Sequence, residues 1–453
     1  MHKLFTIIFL AFLAFQIAFF LFFYSHDPSH VITPDSTVFI EPAKAILEFG
    51  NFSKSISTPD IPEIHATPGY PFFLAKIYSI FGLSQPPVIL IQILLGIATI
   101  VLTYMLARKL WGHSVGLIAG VFLALDPGSF SSPFFIMTET LFTFLLLIAV
   151  FSGVQLIQNY KNKMRWAFAM GLALALAILV RPIAYYLIAL LGVGFFIYVA
   201  AVKHFELKRT IVIGLLIAAP LILFVGGWKA RNYIVSGSST LAHVRNIILF
   251  DYKATEIIMR RDGIAYDDAR NKLVDSLPNM EDWSETKKSD FMGNKAMSII
   301  KQYPLLFIED HIYGLVEMMF VPYETDIFRF IGVANQPTTY IITDLLKLSP
   351  NEYINKWAYG YTWQFSIFIV MLAYLLFLYA CVIVGVWKVF GEPKGRRLVY
   401  LSLCIVILYF LAFSESAPRF RVPIMPYLSM FGAAGLYYIY EYIWKRKKIK
   451  FHA

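Results

Sequence analysis

YSHDPSHVITPDSTVFIEPAKAILEFGNFSKSISTPDIPEIHATPGYPFFLAKIYSIF, residues 24–81, is a polar interval that lies between two long apolar runs. Apolar residues recur at helical spacing over 38–49 and again over 72–81. Each pattern is too short and too charged to span a bilayer, so it predicts an amphipathic helix along the membrane surface. The interval is also rich in ionisable side chains, namely Asp27, Asp35, Glu41, Glu48, Asp60, Glu63 and His65. We therefore expect a carboxylate-bearing loop held at a membrane interface.

The composition of the whole chain indicates a polytopic membrane protein. Of its 453 residues, 58% are hydrophobic and only 15% are charged, and the mean hydropathy is +0.64. The net charge of +10 does not predict a nucleic-acid partner, because the basic residues cluster at the ends of apolar runs. Cys381 and Cys404 both fall within apolar runs and offer neither a disulfide framework nor metal-ligand spacing.

Ten apolar runs predict ten membrane-spanning helices. The first is interpreted as a retained span, because no small-residue cleavage site follows it. The runs are 4–24, 88–107, 115–125, 134–157, 166–180, 183–202, 211–228, 365–387, 398–413 and 422–443. Whether 305–348 also crosses the membrane is left open, with twelve crossings as the alternative. We expect an N-terminal transmembrane module at 1–228 with its first external loop at 25–86, a mainly helical external segment at 229–361, and a C-terminal transmembrane module at 362–453.

The positions of the short basic connections predict the orientation of these spans. If the spans alternate, the basic stretches at 108–109, 161–165, 203–209, 388–397 and 445–448 all fall on the same side as Lys3. Positive residues favour the cytoplasmic side, so both termini are predicted to be cytoplasmic. The loop at 25–86, Glu139, Arg181, the segment 229–361 and the stretch 415–421 then share the external face.

Five short stretches, scattered in order along the chain, resemble the polyprenyl-phosphate-dependent glycosyltransferases of the GT-C superfamily. They are PDS with HATPGYP at 34–36 and 65–71, MTETLF at 137–142, LVRP at 179–182, WKARNY at 228–233 and SAPRFRVPIMPY at 416–427. Within the superfamily they are most similar to the branch that groups protein mannosyltransferases with lipid A aminoarabinose transferases. The resemblance implies an all-α GT-C-like bundle with amphipathic helices in the first external loop, a polyprenyl-phosphate-linked sugar donor and no metal. The small external segment and the expected lack of a large C-terminal soluble domain leave the acceptor open.

Two carboxylates are candidates for the catalytic groups. Transfer of a sugar to a hydroxyl requires a base for the hydroxyl proton and cationic groups for the departing phosphate. Asp35 occupies the position where the resembled family has its essential aspartate, although Pro-Asp-Ser before a helix could equally be an N-cap. Glu139 falls near the start of the 134–157 run, where a carboxylate is costly to bury. Its alternative interpretation is a carboxylate at the water boundary.

Other residues are candidates for binding the substrates. Four arginines could contact the donor phosphate, because a guanidinium suits bidentate contact, or could simply meet lipid headgroups: Arg181, Arg231, Arg419 and Arg421. Candidates for contact with the sugar or acceptor are His65, Thr67, Tyr70 and His311. The two histidines could also be acid/base groups, metal ligands or simple polar loop residues, but no HExxH-like or Asp-x-Asp motif accompanies them. We expect no metal and no cofactor.

These observations together predict an inverting integral membrane glycosyltransferase that transfers a monosaccharide, a hexose or a pentose, on the external face of the plasma (inner) membrane. Its partners would be the polyprenyl-phosphate-linked donor, membrane lipid and an acceptor lipid, glycan or protein. One alternative is a polysaccharide ligase or polymerase that uses a diphosphate-linked lipid donor. A secondary transporter is the other, although transporters place charged groups near the midplane and are often built from inverted repeats.

Overall fold

The computed structural model of the protein describes residues 2–158, 162–190, 207–333, 349–356, 362–389, 391, 394–413 and 417–450. In these ranges the chain is almost entirely helical, with one two-stranded antiparallel sheet. In chain order the elements are α1 His2–His26, α2 Thr37–Phe49, β1 Ser53–Ser55, β2 Thr58–Pro62, α3 Gly69–Phe81, α4 Gln85–Trp111, α5 His113–Leu125, α6 Pro127–Ser131, α7 Glu139–Gln158, α8 Lys163–Val180, α9 Leu207–Pro220, α10 Gly227–Ser236, α11 Val244–Ile248, α12 Thr255–Asp262, α13 Tyr266–Asp275, α14 Glu285–Gln302, α15 Pro304–Phe320, α16 Glu324–Phe330, α17 Pro350–Ile354, α18 Thr362–Val389, α19 Lys394–Phe413 and α20 Met425–Lys450.

The long apolar helices confirm that the chain is an all-α polytopic membrane protein. Seven of the described helices are long and apolar enough to cross a membrane, and the bent pair His113–Leu125 and Pro127–Phe134 would make an eighth. The ninth predicted span corresponds to α19, a helix of 20 residues. Most of the sixth predicted span lies outside the described residues. The same holds for residues 334–348, which belong to the stretch 305–348 whose crossing the sequence leaves open. The number ten and the division into modules remain predictions.

The prediction for the fourth span was wrong at its start. Residues 132–134 form a 3-10 turn and residues 135–138 are irregular, so the helix begins at Glu139. The reason lies in the first loop, because the Ile136 amide donates to the Val31 carbonyl across a distance of 3.0 Å. The contact satisfies this amide and holds residues 135–138 beside the first loop, in place of a further helical turn.

The loop at 25–86 contains the two amphipathic helices that the sequence predicts, α2 and α3, and between them a hairpin that it does not. Strands β1 and β2 pair antiparallel, with Ser55 opposite Thr58. Helix α3 begins against the end of α8, and a Cβ atom at Gly69 would lie 2.6 Å from the Leu179 carbonyl carbon. The loop is thus docked on the transmembrane bundle.

The bundle is held by close helix pairs, among them α7 with α8, α4 with α5, and α18 with α20. Gly385 on α18 and Gly435 on α20 face the backbone of the opposite helix, where any side chain would collide with main-chain atoms. Small residues at such contacts let helices approach closely in a membrane. The polar segment 229–361 has a small hydrophobic cluster of its own, formed by Phe250, Ala254, Ile258, Ala269, Leu273 and Ala296.

Candidate functional site

Asp35 is held at the start of the first loop by the turn that precedes α2. Residues Pro34–Ser36 form a 3-10 turn in which Thr33 and Ser36 bond to each other reciprocally. The buried Thr33 hydroxyl also donates to the Met137 sulfur at 3.1 Å. Since Met137 lies just before Glu139, one contact fixes both carboxylate-bearing segments. The Asp35 side chain makes no capping bond and remains 48% exposed, which disfavours the N-cap interpretation.

Glu139 is the first residue of α7, where the positive end of the helix dipole favours a carboxylate. Its side chain is only 2% exposed, and Oε1 accepts a hydrogen bond from Arg181 Nη1 at 3.0 Å. Arg181 follows the last residue of α8 and has an extended backbone conformation, and Pro182 after it prevents the helix from continuing. Glu139 Oε2 has no hydrogen-bond partner among the described residues. A buried carboxylate oxygen without a partner is a costly feature that fits a binding or catalytic position.

Arg419 connects the two carboxylates. Its Nη1 lies 2.6 Å from Asp35 Oδ2, and its Nε lies 4.0 Å from Glu139 Oε1. The residue belongs to the 3-10 stretch Pro418–Ile424 that leads into α20, so it reaches the cluster from the far end of the chain. Phe420 lies between the guanidinium groups, 5.0 Å from that of Arg181 and 5.3 Å from that of Arg419. We call Asp35, Glu139, Arg181 and Arg419 the charge cluster.

Arg231 does not reach the charge cluster in the described structure. Its Nη1 donates to the Glu63 carbonyl at 2.7 Å and its Nη2 to the Phe52 carbonyl at 2.8 Å. The guanidinium also stacks 4.9 Å from the centroid of the Trp228 ring. These contacts tie the hairpin of the first loop to α10, so we leave Arg231 out of the proposed phosphate site.

Arg421 is also directed elsewhere, although it stands only two residues after Arg419. It is 1% exposed, and its Nη1 donates to three carbonyls: Met318 at 2.6 Å, Met319 at 2.9 Å and Val321 at 3.0 Å. Its Nη1 is thus occupied by backbone carbonyls, and its buried Nη2 has no hydrogen-bond partner among the described residues. We therefore leave Arg421 out of the proposed phosphate site as well.

The four candidates for sugar or acceptor contact are dispersed. Tyr70 is fully buried and donates to Gln92 Oε1 at 2.6 Å, and Thr67 donates to the Val180 carbonyl at 3.2 Å. His65 Nε2 lies 3.9 Å from Glu285 Oε2 on α14, and the His311 ring lies 6.4 Å from that of Phe307 on its own helix. The hydrogen bonds of Tyr70 and Thr67 hold the fold together, and of the four residues Tyr70 also lies within electrostatic reach of Glu139.

The turn between α15 and α16 contributes residues that the sequence interpretation missed. Tyr323 is 5% exposed and lies within electrostatic reach of Glu139, Arg419 and Arg181. Asp326 accepts a hydrogen bond from Tyr323 and interacts electrostatically with Arg419 and Glu139. Burial raises the pKa of both Tyr323 and Asp326, and burial raises the pKa of Glu324 beside them to about 7. The only sequence signal was an acidic, aromatic turn at a helix start, Tyr-Glu-Thr-Asp.

The electrostatics of the charge cluster suit an anionic ligand that can compete for arginine. The two guanidinium groups and two carboxylates balance in charge, so a further anion can be bound only when Asp35 moves away from Arg419. Among the residues described, no group of three or more His, Cys, Asp or Glu side chains is arranged to hold a metal ion. Proton transfer and phosphate binding are the chemistry these side chains can perform themselves.

Comparison with known proteins gives one partial family match and several structural likenesses. Residues 65–228 match the family described as dolichyl-phosphate-mannose-protein mannosyltransferase. The matched part is less than half of the chain. An uncharacterized protein of Aquifex aeolicus (strain VF5) is 26% identical over 216 residues, covering 48% of this chain and 42% of that protein. The match therefore spans less than half the length of that relative.

The archaeal oligosaccharyltransferase AglB from Archaeoglobus fulgidus, in complex with an inhibitory peptide and a dolichol-phosphate, has a similar fold. The TM-score is 0.53 at 12% identity, covering 98% of this chain and 52% of AglB. The apo form of that oligosaccharyltransferase gives a TM-score of 0.52. At such low identity the likeness concerns the fold alone, and it extends over nearly the whole chain. The match of residues 65–228 to that family and the fold likeness over nearly the whole chain together support the predicted membership of the GT-C superfamily.

Proposed function

We propose that this chain transfers a monosaccharide from a polyprenyl-phosphate donor to an acceptor hydroxyl on the external face of the membrane, with Asp35 as the general base. The observation that carries the proposal is the position of Arg419, 2.6 Å from Asp35 and 4.0 Å from Glu139. A proton acceptor and a phosphate-binding cation are thereby adjacent, as a one-step displacement requires.

The reaction follows from these roles. The acceptor hydroxyl gives its proton to an Asp35 carboxylate oxygen while the hydroxyl oxygen attacks the anomeric carbon. The bond between that carbon and the phosphate oxygen breaks, and the polyprenyl phosphate leaves with the bonding electron pair. Attack opposite to the leaving group inverts the anomeric configuration. Guanidinium groups of Arg419 and Arg181 stabilise the negative charge that accumulates on the departing phosphate.

Donor binding also prepares the base. Without a ligand, Asp35 is paired with Arg419, so its carboxylate faces a guanidinium and not an acceptor hydroxyl. A donor phosphate competes for the same guanidinium and releases Asp35 to face the acceptor. This exchange is inexpensive because the pair is only partly buried, with side-chain exposures of 48% and 30%.

Glu139 is proposed to organise the two arginines without accepting the proton itself. It is buried, it is paired with Arg181 and it lies close to Arg419, so it fixes both guanidinium groups in the absence of donor. Such preorganisation avoids reorienting charges during the reaction. Phe420, which lies between the two guanidinium groups, gives them a further common support.

The proposed partners follow from the donor chemistry. A polyprenyl tail would remain in the bilayer while its phosphate meets the charge cluster, and the acceptor would be a lipid, glycan or protein hydroxyl that arrives from outside. The dolichol-phosphate bound to AglB is a lipid of the proposed class. We propose a multi-pass location in the plasma (inner) membrane, cytoplasmic termini and no nucleic-acid partner, on the basis of the distribution of basic residues.

The test is a donor-class comparison with the purified full chain in lipid nanodiscs. We expect sugar release or transfer from polyprenyl-phosphate monosaccharides, offered as a panel of hexoses and pentoses, and loss of that activity in Arg419→Met. Activity only with a polyprenyl-diphosphate oligosaccharide would replace this proposal by the ligase or polymerase alternative. If the protein turned over neither donor class and bound neither donor lipid, the proposal and its ligase or polymerase alternative would both be refuted.

A further inference from the structure

Arg421 and the backbone of residues 318–323 form a built arrangement that the proposed reaction does not use. The buried Nη1 of Arg421 donates to the carbonyls of Met318, Met319 and Val321, at the point where α15 ends. Tyr379 from α18 also donates to the Met319 carbonyl at 2.6 Å. Carbonyls at a helix end lack intrahelical partners, so these donors satisfy them and fix the path of the chain that follows.

That path leads at once to an unusual backbone conformation. Tyr323 has a φ of 75°, and it is the only non-glycine residue with positive φ in the part of the chain described. A bulky aromatic residue rarely adopts this conformation, which persists only where the surrounding structure enforces it. The ring packs against α6, where a Cβ atom at Gly128 would lie 3.3 Å from Tyr323 Cδ2.

The residue placed by this turn faces the charge cluster. Tyr323 interacts electrostatically with Glu139, Arg419 and Arg181, and it is almost fully buried beside them. Arg421 itself makes no ion pair with Asp35 or Glu139, and the carboxylates within its electrostatic reach are those of Asp126 and Glu324. Hydrogen bonds therefore connect Arg421 to the turn, and the turn places Tyr323 within electrostatic reach of Arg419.

We propose that Arg421 is a positioning residue, which holds the 318–323 turn so that Tyr323 supports the Arg419 guanidinium in its phosphate-binding orientation. This inference rests on the proposed function, since it assigns Arg419 to the donor phosphate. It also gives the two arginines of Pro-Arg-Phe-Arg different tasks: Arg419 contacts the ligand and Arg421 sets the geometry. The turn and its tyrosine are thus part of the site even though they are assigned no step in bond breaking.

The geometry makes a prediction that separates positioning from phosphate binding. All three carbonyls are contacted by one nitrogen, which has two N–H groups and so shares one of them, whereas a lysine ammonium carries three donors on a flexible stem. The lysine nitrogen in Arg421→Lys falls about one bond short of the arginine Nη1, so this variant should retain polyprenyl phosphate affinity within about threefold of wild type. Arg421→Gln has no cationic nitrogen and should lose about tenfold or more of that affinity. A bidentate phosphate ligand would instead be impaired by lysine as well.

A second variant reaches the same turn without changing Arg421. Gly128→Ala introduces a methyl group 3.1 Å from Val422 Cγ2 and 3.3 Å from Tyr323 Cδ2, so the tyrosine ring must shift. We expect this variant to weaken polyprenyl phosphate binding as Arg421→Gln does. Gly226→Ala is the matched control, because its Cβ atom would meet nothing within 4 Å.

The experiment measures two quantities on the full chain in nanodiscs: affinity for undecaprenyl phosphate as the probe, and amide hydrogen exchange over residues 318–326. Faster exchange in Arg421→Gln and Gly128→Ala, with wild-type exchange in Gly226→Ala, is expected together with the loss of affinity. Unchanged exchange in both variants would overturn the positioning role. If wild-type protein binds no polyprenyl phosphate, the proposed function fails, and the exchange data still decide what Arg421 does to the turn.

Discussion

Replacing Asp35 by asparagine should separate catalysis from folding. The ion pair that is lost, Asp35 with Arg419, is partly exposed, and such pairs contribute about 0–1 kcal/mol to stability. No capping bond is lost, because the Asp35 side chain makes none. The proton acceptor disappears, however, and general-base catalysis is worth about 10²–10⁴ in rate. A loss of about 10² corresponds to about 2.7 kcal/mol in the barrier, well above the effect on stability.

The same substitution should leave donor affinity unchanged or make it tighter, because Asp35 no longer competes with the phosphate for Arg419. The assay measures sugar transfer under saturating donor, undecaprenyl phosphate affinity and thermal unfolding in the same preparation. Asp27→Asn is the matched control: it lies in the same loop, its side chain is 46% exposed and it pairs with His30 at 3.0 Å. If Asp35→Asn transferred sugar at a near-normal rate, Asp35 could not be the base, and the mechanism would have to be abandoned.

Three further outcomes are expected. Arg419→Lys keeps a charge but not the bidentate fork, so donor affinity and turnover should both fall; an effect on neither would remove Arg419 from the site. Glu139→Gln breaks a buried pair with Arg181 and should destabilise the protein by about 3–5 kcal/mol in thermal or denaturant unfolding, whereas an unchanged unfolding midpoint would contradict the buried pairing. The pKa of Glu324 is raised by burial from 4.5 to about 7, so folding favours its protonated form and stability should decline as the pH rises through that window. Glu324→Gln should therefore unfold much like wild type at pH 5 and be more stable at pH 8 by roughly 3 kcal/mol, and equal midpoints at both pH values would exclude the shift.

The sequence by itself determined the class of the protein, most of its spans and the residues worth testing. Hydropathy and helical periodicity are local properties, so the runs that became α1, α4, α7, α8 and α18, and the amphipathic helices α2 and α3, could be read directly. Glu139 could be proposed because a carboxylate within an apolar run is costly unless it is used. Asp35 was proposed because it occupies the position of the resembled family's essential aspartate, and Arg419 because a guanidinium suits bidentate contact with a phosphate. The resemblance of the surrounding motifs to a known superfamily added the kind of donor.

Only the tertiary structure decided which of these charged groups meet. Arg419 and Arg421 have the same chemistry and nearly the same position in the chain, yet one reaches Asp35 and the other reaches three carbonyls of α15. The difference depends on where a distant helix ends, which local sequence does not encode. The same holds for the left-handed conformation of Tyr323 and for the late start of α7, since both are enforced by contacts with remote segments. Local patterns specify elements, and the partners of a buried charge are specified by how those elements pack.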